Sequence, residues 1–265
     1  MGSASPFTHE KSLRDSVSAE EWELRVTLAA CYRLMARYGM TDLIYNHITA
    51  RVPGPDHHFL INPYGLLYEE VTASSLYKID LDGNVITQPD TPYGLNYAGF
   101  VIHSAVHAAR EDAKCVIHTH TRAGVAVSAM KSGLMPISQH ALRFFERIGY
   151  HDYEGPALNL DERERLVSNL GDKDVMLLRN HGTLAVGRSV PEAFNIAYFL
   201  ECACRIQIDA LSGGGEVHVP ARAACEAVEL STRPDPANKH GVMDGMREWP
   251  AMLRLLDRTD PSYAV

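Results

Sequence analysis

Two short apolar runs, Val116-Ile117 and Met176-Leu177-Leu178, each lead into histidine, the first as His118-Thr119-His120 and the second as Arg179-Asn180-His181-Gly182. Each run is too short for a helix and reads as a buried strand that opens into a site. On a strand, residues two apart point to the same face, so His118 and His120 present both imidazoles to one side. That pair suits a first-row metal ion if a third ligand arrives from elsewhere, and His181 is the candidate. Two buried strands that both stop at histidine say more about this chain than any single motif in it.

The remaining pattern surrounds those strands with helices. Ser18-x-x-Glu21 is a capping box, followed by apolar residues at Trp22, Val26, Ala29, Ala30, Leu34 and Tyr38 in three- and four-residue steps. Short β signals come next, at 48–52, 58–61, 76–80 and 85–87, with Asp82-Gly83 marking a hairpin. The spacing predicts helices over 96–109, 123–131, 161–170 and 190–210, and strands over 115–118, 175–178 and 183–186. His103 and His107 stand four apart on the first of these helices and share a face, which reads as a half-exposed polar stripe. The helix runs just before the His-x-His strand, so His103 is also a candidate site residue. The outline is a single α/β or α+β domain with helices on both faces of a largely antiparallel sheet. Residues 1–17 are expected as a flexible arm, 18–215 as the domain, and 216–265 as a C-terminal extension. The extension's short amphipathic helix, 250–257, must bury its apolar side on the body or on a neighbouring subunit.

Composition bounds the function. A formal charge of -8 with no Lys/Arg cluster argues against nucleic acid or an anionic membrane as partner. There is no apolar leader and no run of about eighteen apolar residues, so a cytoplasmic protein is expected. The five cysteines are odd in number and sit mostly in apolar patterns, as reduced packing residues do. Cys202-Ala203-Cys204 is not a metal pair, because on a helix the two side chains diverge by about 200°.

Taken together, Asn46-His47-Ile48-Thr49-Ala50-Arg51, Ile61-Asn62-Pro63-Tyr64-Gly65, Ile79-Asp80-Leu81-Asp82-Gly83, His118-Thr119-His120 and Asn180-His181-Gly182 resemble the class II aldolase/adducin family. The match extends from about residue 20 to 212 and is nearest to adducin-like bacterial members. The resemblance implies a three-layer α/β/α domain around a mainly antiparallel sheet, in a homotetramer with sites near subunit boundaries. It implies His118, His120 and His181 as ligands of a divalent ion, usually Zn²⁺, with Fe²⁺, Mn²⁺, Ni²⁺ or Co²⁺ as alternatives. It also implies a small-molecule substrate contacted near Asn46 and Gly65.

Departures from that pattern are as informative. The aldolases' general acid/base glutamate falls on Gly99 here, with His103 retained one helical turn later. The glycine and asparagine of their phosphate loop become Asn46 and His47, and a serine pair becomes Tyr97-Ala98. A phosphate needs backbone N–H groups and hydroxyls within reach, so an unphosphorylated carbonyl substrate is expected. The tyrosine that the aldolases supply from a neighbouring subunit corresponds in spacing to His140, a histidine able to move protons near neutrality. The expected activity is a metal-dependent lyase of the aldolase or decarboxylase type. The alternatives are a non-haem iron oxygenase on the same fold and a non-catalytic module like the adducin head, whose metal ligands are missing where this chain keeps all three.

Overall fold

A computed structural model describes residues 12–155, 161–233 and 244–265. Most of the expected N-terminal arm lies outside these residues; its last part forms a short helix, α1 (Leu13–Ser16). The elements then run α2 (Ala19–Arg37), β1 (His47–Arg51), β2 (Phe59–Ile61), β3 (Tyr77–Ile79), β4 (Val85–Thr87), α3 (Tyr97–Ala109), β5 (Cys115–Thr119) and α4 (Arg122–Ser128). They continue α5 (Gln139–Leu142), β6 (Ile148–His151), α6 (Glu162–Leu170), β7 (Val175–Leu178), β8 (Gly182–Gly187), α7 (Val190–Ser212), α8 (Arg222–Thr232) and α9 (Trp249–Thr259). Among the described residues eight strands form one sheet in the order β4-β3-β2-β1-β5-β8-β7-β6. Every pairing in it is antiparallel except β6 with β7. The architecture is mixed α/β with a mainly antiparallel central sheet, as the resemblance implied.

Alternation along the strands sorts side chains to two covered faces. Cys115 and Ile117 of β5 join Leu28, Leu34, Leu200 and Cys204 of α2 and α7 in the larger core. Val116 points the other way, into a cluster with Ile102 and Val106 of α3 and Leu166 and Leu170 of α6. His118, two residues on from Val116, therefore lies on the α3/α6 side. In the β1–β5 ladder His47 stands directly opposite His118, so both imidazoles share that side.

Two local expectations change. Ser18 does cap α2, accepting from Glu21 N at 3.1 Å, but the Glu21 carboxylate does not close the box. It accepts instead from Arg25 Nε at 2.9 Å and from Lys78 Nζ at 2.8 Å. Arg25 has no exposed surface, and a buried guanidinium outcompetes one helix-end N–H for a carboxylate. Glu21→Ala strands that charge and is expected to cost about 3–5 kcal/mol, read as a shift in the urea midpoint at unchanged m.

The helix α2 is also buried nearly all round from Leu28 to Met35, not along one stripe. The chain's end covers its outer side. Arg33 Nη1 pairs with Asp260 at 2.7 Å, Tyr38 Oη donates to Met252 Sδ at 3.2 Å, and Ala73 N donates to Tyr263 O at 2.9 Å. Trp249 packs its ring 5.9 Å from Phe194 of α7. The sequence reading missed α8 altogether; its Cys225 is buried and the helix packs on α5. Among the described residues no helix is long and apolar enough to cross a membrane.

Candidate metal centre

One strand and two connecting segments deliver the histidines: His118 lies in β5, His120 follows that strand, and His181 precedes β8. The strand β5 ends at Thr119, and Thr121 caps α4, accepting from Gly124 N at 3.1 Å and donating to Glu201 Oε2 at 2.5 Å. His120 is thus held in a two-residue link between strand and helix, beside the capping Thr121. His181 sits in the β7–β8 turn, where its N–H donates to Leu178 O at 3.0 Å and Asn180 adopts a φ of 59°. Asparagine tolerates that left-handed conformation better than most residues. The glycine that follows His181 is required by packing, since a Cβ on Gly182 would lie 2.3 Å from Thr119 O. The His-Gly dipeptide therefore lets β8 approach β5 beside the His-x-His pair.

The donor atoms of His118, His120 and His181 lie within 4.8 Å of one another. His118 Nε2 is 2.8 Å from His120 Nε2, which is 3.0 Å from His181 Nε2. The tautomers follow from the other ring nitrogens. His118 Nδ1 donates to Thr183 O at 2.9 Å, and His120 Nδ1 donates to the Asp42 carboxylate at 3.2 Å. Both partners can only accept, so in the neutral rings each Nε2 carries a lone pair. Two lone pairs then face each other at 2.8 Å, an arrangement that a cation relieves. Burial holds the His118 imidazolium well below the ordinary histidine range and brings His181 down to about 4, so both are neutral ligands near pH 7. The residues present fit a divalent metal ion, with Thr183 O and Asp42 orienting the rings as the outer partners of ligating histidines commonly do.

Other expected site residues fall in different places. Asn46 is fully buried; its Oδ1 accepts from His120 N at 3.0 Å and its Nδ2 donates to Met40 O at 3.3 Å. It acts on the site through His120, tying down the loop that carries Asp42. Gly65 has a φ of +134°, and a Cβ there would lie 2.5 Å from the Tyr93 ring, so the missing side chain makes room for Tyr93. His140 opens α5 with its ring 5.6 Å from Phe199, and no hydrogen bond joins it to the triad among the described residues.

His103 and His107 do not form an exposed stripe: they are 0% and 1% exposed. His103 has no nitrogen left for an ion, because Nε2 lies 2.9 Å from His47 Nδ1 and Nδ1 lies 2.7 Å from Thr49 Oγ1. His107 Nε2 reaches the same hydroxyl at 2.8 Å, and its Nδ1 donates to Ala113 O at 3.0 Å. His47, Thr49, Asp42 and Thr183 were not legible as site residues. The one available signal was the alternation His47-x-Thr49 in a strand, which gains meaning only beside α3 and β5.

Burial brings His107 down to about 3. In the unfolded chain it titrates near about 6.5, so between these values only the unfolded state binds the extra proton. Stability is therefore complete above about pH 6.5 and falls as the pH drops towards 3, by about 1.4 kcal/mol per unit for this site. His107→Gln is expected to flatten the slope of unfolding free energy against pH by that amount, measured in urea with chelator present.

The chain is similar to known proteins over most of its length. The family model described as class II aldolase and adducin N-terminal domain matches residues 26–208. A Caulobacter vibrioides protein, provisionally named aldolase class 2 protein, is 54% identical over 253 residues, 96% of either chain. Alpha-adducin of Rattus norvegicus is 52% identical over 204 residues, which are 76% of this chain and 28% of that protein. The crystal structure of an aldolase II superfamily protein from Pseudomonas syringae superposes with a TM-score of 0.89 at 53% identity, covering 96% of this chain and all of that one. An L-fuculose 1-phosphate aldolase from Glaciozyma antarctica superposes with a TM-score of 0.81 at 25% identity, over 98% of this chain and 96% of that one. The chain belongs to the class II aldolase and adducin family.

Proposed function

We propose that this protein is a metal-dependent lyase of the aldolase or decarboxylase type, acting on a small unphosphorylated carbonyl compound. The observation that carries the reading is the pair of opposed Nε2 lone pairs on His118 and His120, 2.8 Å apart and fixed as acceptors by Thr183 O and Asp42. With His181 they make a three-imidazole set, which leaves coordination positions open for substrate as catalytic sites do. Such a ligand set suits Zn²⁺ first and Fe²⁺, Mn²⁺, Ni²⁺ or Co²⁺ as alternatives. A divalent ion held there would supply Lewis acidity to a carbonyl or hydroxyl oxygen.

The chain's own residues set the substrate class. Where the resembled aldolases open a glycine-rich phosphate cradle, this chain places Asn46 and His47, both buried and both hydrogen-bonded within the protein. Asn46 commits both atoms of its amide within the protein and so offers no side-chain donor to a phosphate. His140, half-buried at the start of α5, is proposed as an acid/base group offered to the site of a neighbouring subunit in a cytoplasmic homotetramer.

A second reading is favoured by one observation, the 52% identity to alpha-adducin over 76% of this chain. On that reading the domain is a non-catalytic assembly module. Elemental analysis of protein purified without added metal separates the two. The lyase requires about one divalent ion per chain, together with cleavage or decarboxylation of an unphosphorylated hydroxy-carbonyl compound that is lost on chelation. A metal-free, fully folded protein would sink the lyase reading. Stoichiometric iron with metal-dependent oxygen uptake would move it to an oxygenase.

A further inference from the structure

The ring nitrogens of His47 are unequally placed. Nδ1 lies 2.9 Å from His103 Nε2, and the series continues from His103 Nδ1 to Thr49 Oγ1 at 2.7 Å, on to His107 Nε2 at 2.8 Å, and ends from His107 Nδ1 at Ala113 O at 3.0 Å. All four side chains are at most 2% exposed. The terminus decides the direction of every bond. A carbonyl oxygen only accepts, so His107 carries its proton on Nδ1 and, as a neutral ring, accepts at Nε2. The Thr49 hydroxyl must then donate to His107, which leaves its oxygen to accept from His103 Nδ1–H. His103 Nε2 therefore holds a lone pair and accepts from His47 Nδ1–H. Only one hydrogen-bonding atom remains at the other end: the unprotonated Nε2 of His47.

We propose that this one-way series makes His47 the proton acceptor of the site, holding its Nε2 lone pair on the side of the metal-binding histidines. His47 faces His118 across the β1–β5 ladder with ring centroids 5.0 Å apart. Its ring also fills the space beside Gly99, where an added Cβ would lie 2.7 Å from His47 Cγ and 2.8 Å from Cδ2. The position where the resembled aldolases carry their glutamate is thus occupied by an imidazole reaching in from β1.

The inference rests on the lyase reading, which supplies the carbon acid. In the step it assigns, a C–H bond next to the substrate carbonyl breaks, its electron pair stays on the carbon, and the proton forms an N–H bond at His47 Nε2. The resulting imidazolium keeps its Nδ1–H bond to His103. Because the series ends on a carbonyl, it cannot pass protons onward; it fixes the tautomer and steadies the ring.

The test is long-range ¹H–¹⁵N correlation of the histidine rings at fixed pH 7.5, on full-length protein both zinc-loaded and metal-free, with zinc content measured alongside. His47 is expected to show protonated Nδ1 and unprotonated Nε2 in both forms. Thr49→Val removes the hydroxyl at nearly constant shape and should shift His47 towards a mixture of tautomers, while Thr49→Ser keeps the wild-type pattern. Zinc binding by Thr49→Val should remain about one per chain. A protonated Nε2 on His47 in the wild-type protein, or a His47 pattern unmoved by Thr49→Val, overturns the proposal. Absence of zinc from the wild type, with the tautomers as stated, instead removes the lyase reading and leaves the hydrogen-bond series intact.

Discussion

Replacing His118, His120 or His181 by alanine is expected to lower divalent metal content from about one ion per chain to below about a tenth. The three rings bring one ligand nitrogen each within 4.8 Å of the others, so loss of any one leaves two imidazoles and an incomplete set. Asp42→Ala should act more gently, by about 10–100-fold in affinity, because Asp42 only orients His120 through Nδ1. That ordering is itself diagnostic: a surface histidine cluster that bound metal adventitiously would not respond to Asp42. Metal release should also lower the thermal midpoint of the wild type, since an ion bound only to the folded state stabilises it by mass action. In the alanine variants chelator should leave the midpoint unchanged. Melting curves with and without chelator, beside elemental analysis, check both statements.

The second large effect is expected at Gly99. Gly99→Glu would force a Cβ to within 2.7 Å of the His47 ring. Overpacking of that kind costs about 1–3 kcal/mol, and displacing His47 leaves His103 Nε2 without its donor, a further cost of about 1–3 kcal/mol. A total loss of about 2–6 kcal/mol is expected from urea unfolding. The double variant His47→Asn/Gly99→Glu restores the pair of residues that the resembled aldolases carry at these positions. It removes the ring that the new Cβ would strike, so the two changes should be strongly non-additive, with a coupling of more than about 1 kcal/mol. Additive losses would mean that His47 and Gly99 do not share one volume.

Much of the architecture was legible because hydrophobic period reports element type directly. The strands at 115–119 and 175–178 and the helices 97–109 and 190–212 appear where the spacing placed them. The helix 222–232 was missed because it lies beyond the family match, although Cys225 and Val228 stand at helical spacing and share one face. The closing of α2 on all sides was also invisible, because it depends on Asp260 and Met252 returning from more than 200 residues away. Glu21 matched a capping motif, yet its carboxylate turned to Arg25 and Lys78, since a buried cation outweighs one helix-end N–H.

The site divides along the same line. His118, His120 and His181 could be named from sequence because strand alternation and strand ends are local properties, and two of the three are neighbours in the chain. Asp42, Thr183 and His47 could not, because each matters only through a partner 56 to 78 residues distant. By itself the sequence determined that two buried strands end in histidine and that the glutamate position is glycine. Only the tertiary structure decided that a second imidazole set, His47, His103 and His107, lies buried behind the triad in a hydrogen-bond series of fixed direction. The reason is physical: which nitrogen of a histidine holds the proton is set by the group it meets, and those groups meet only when β1, α3 and β5 pack together.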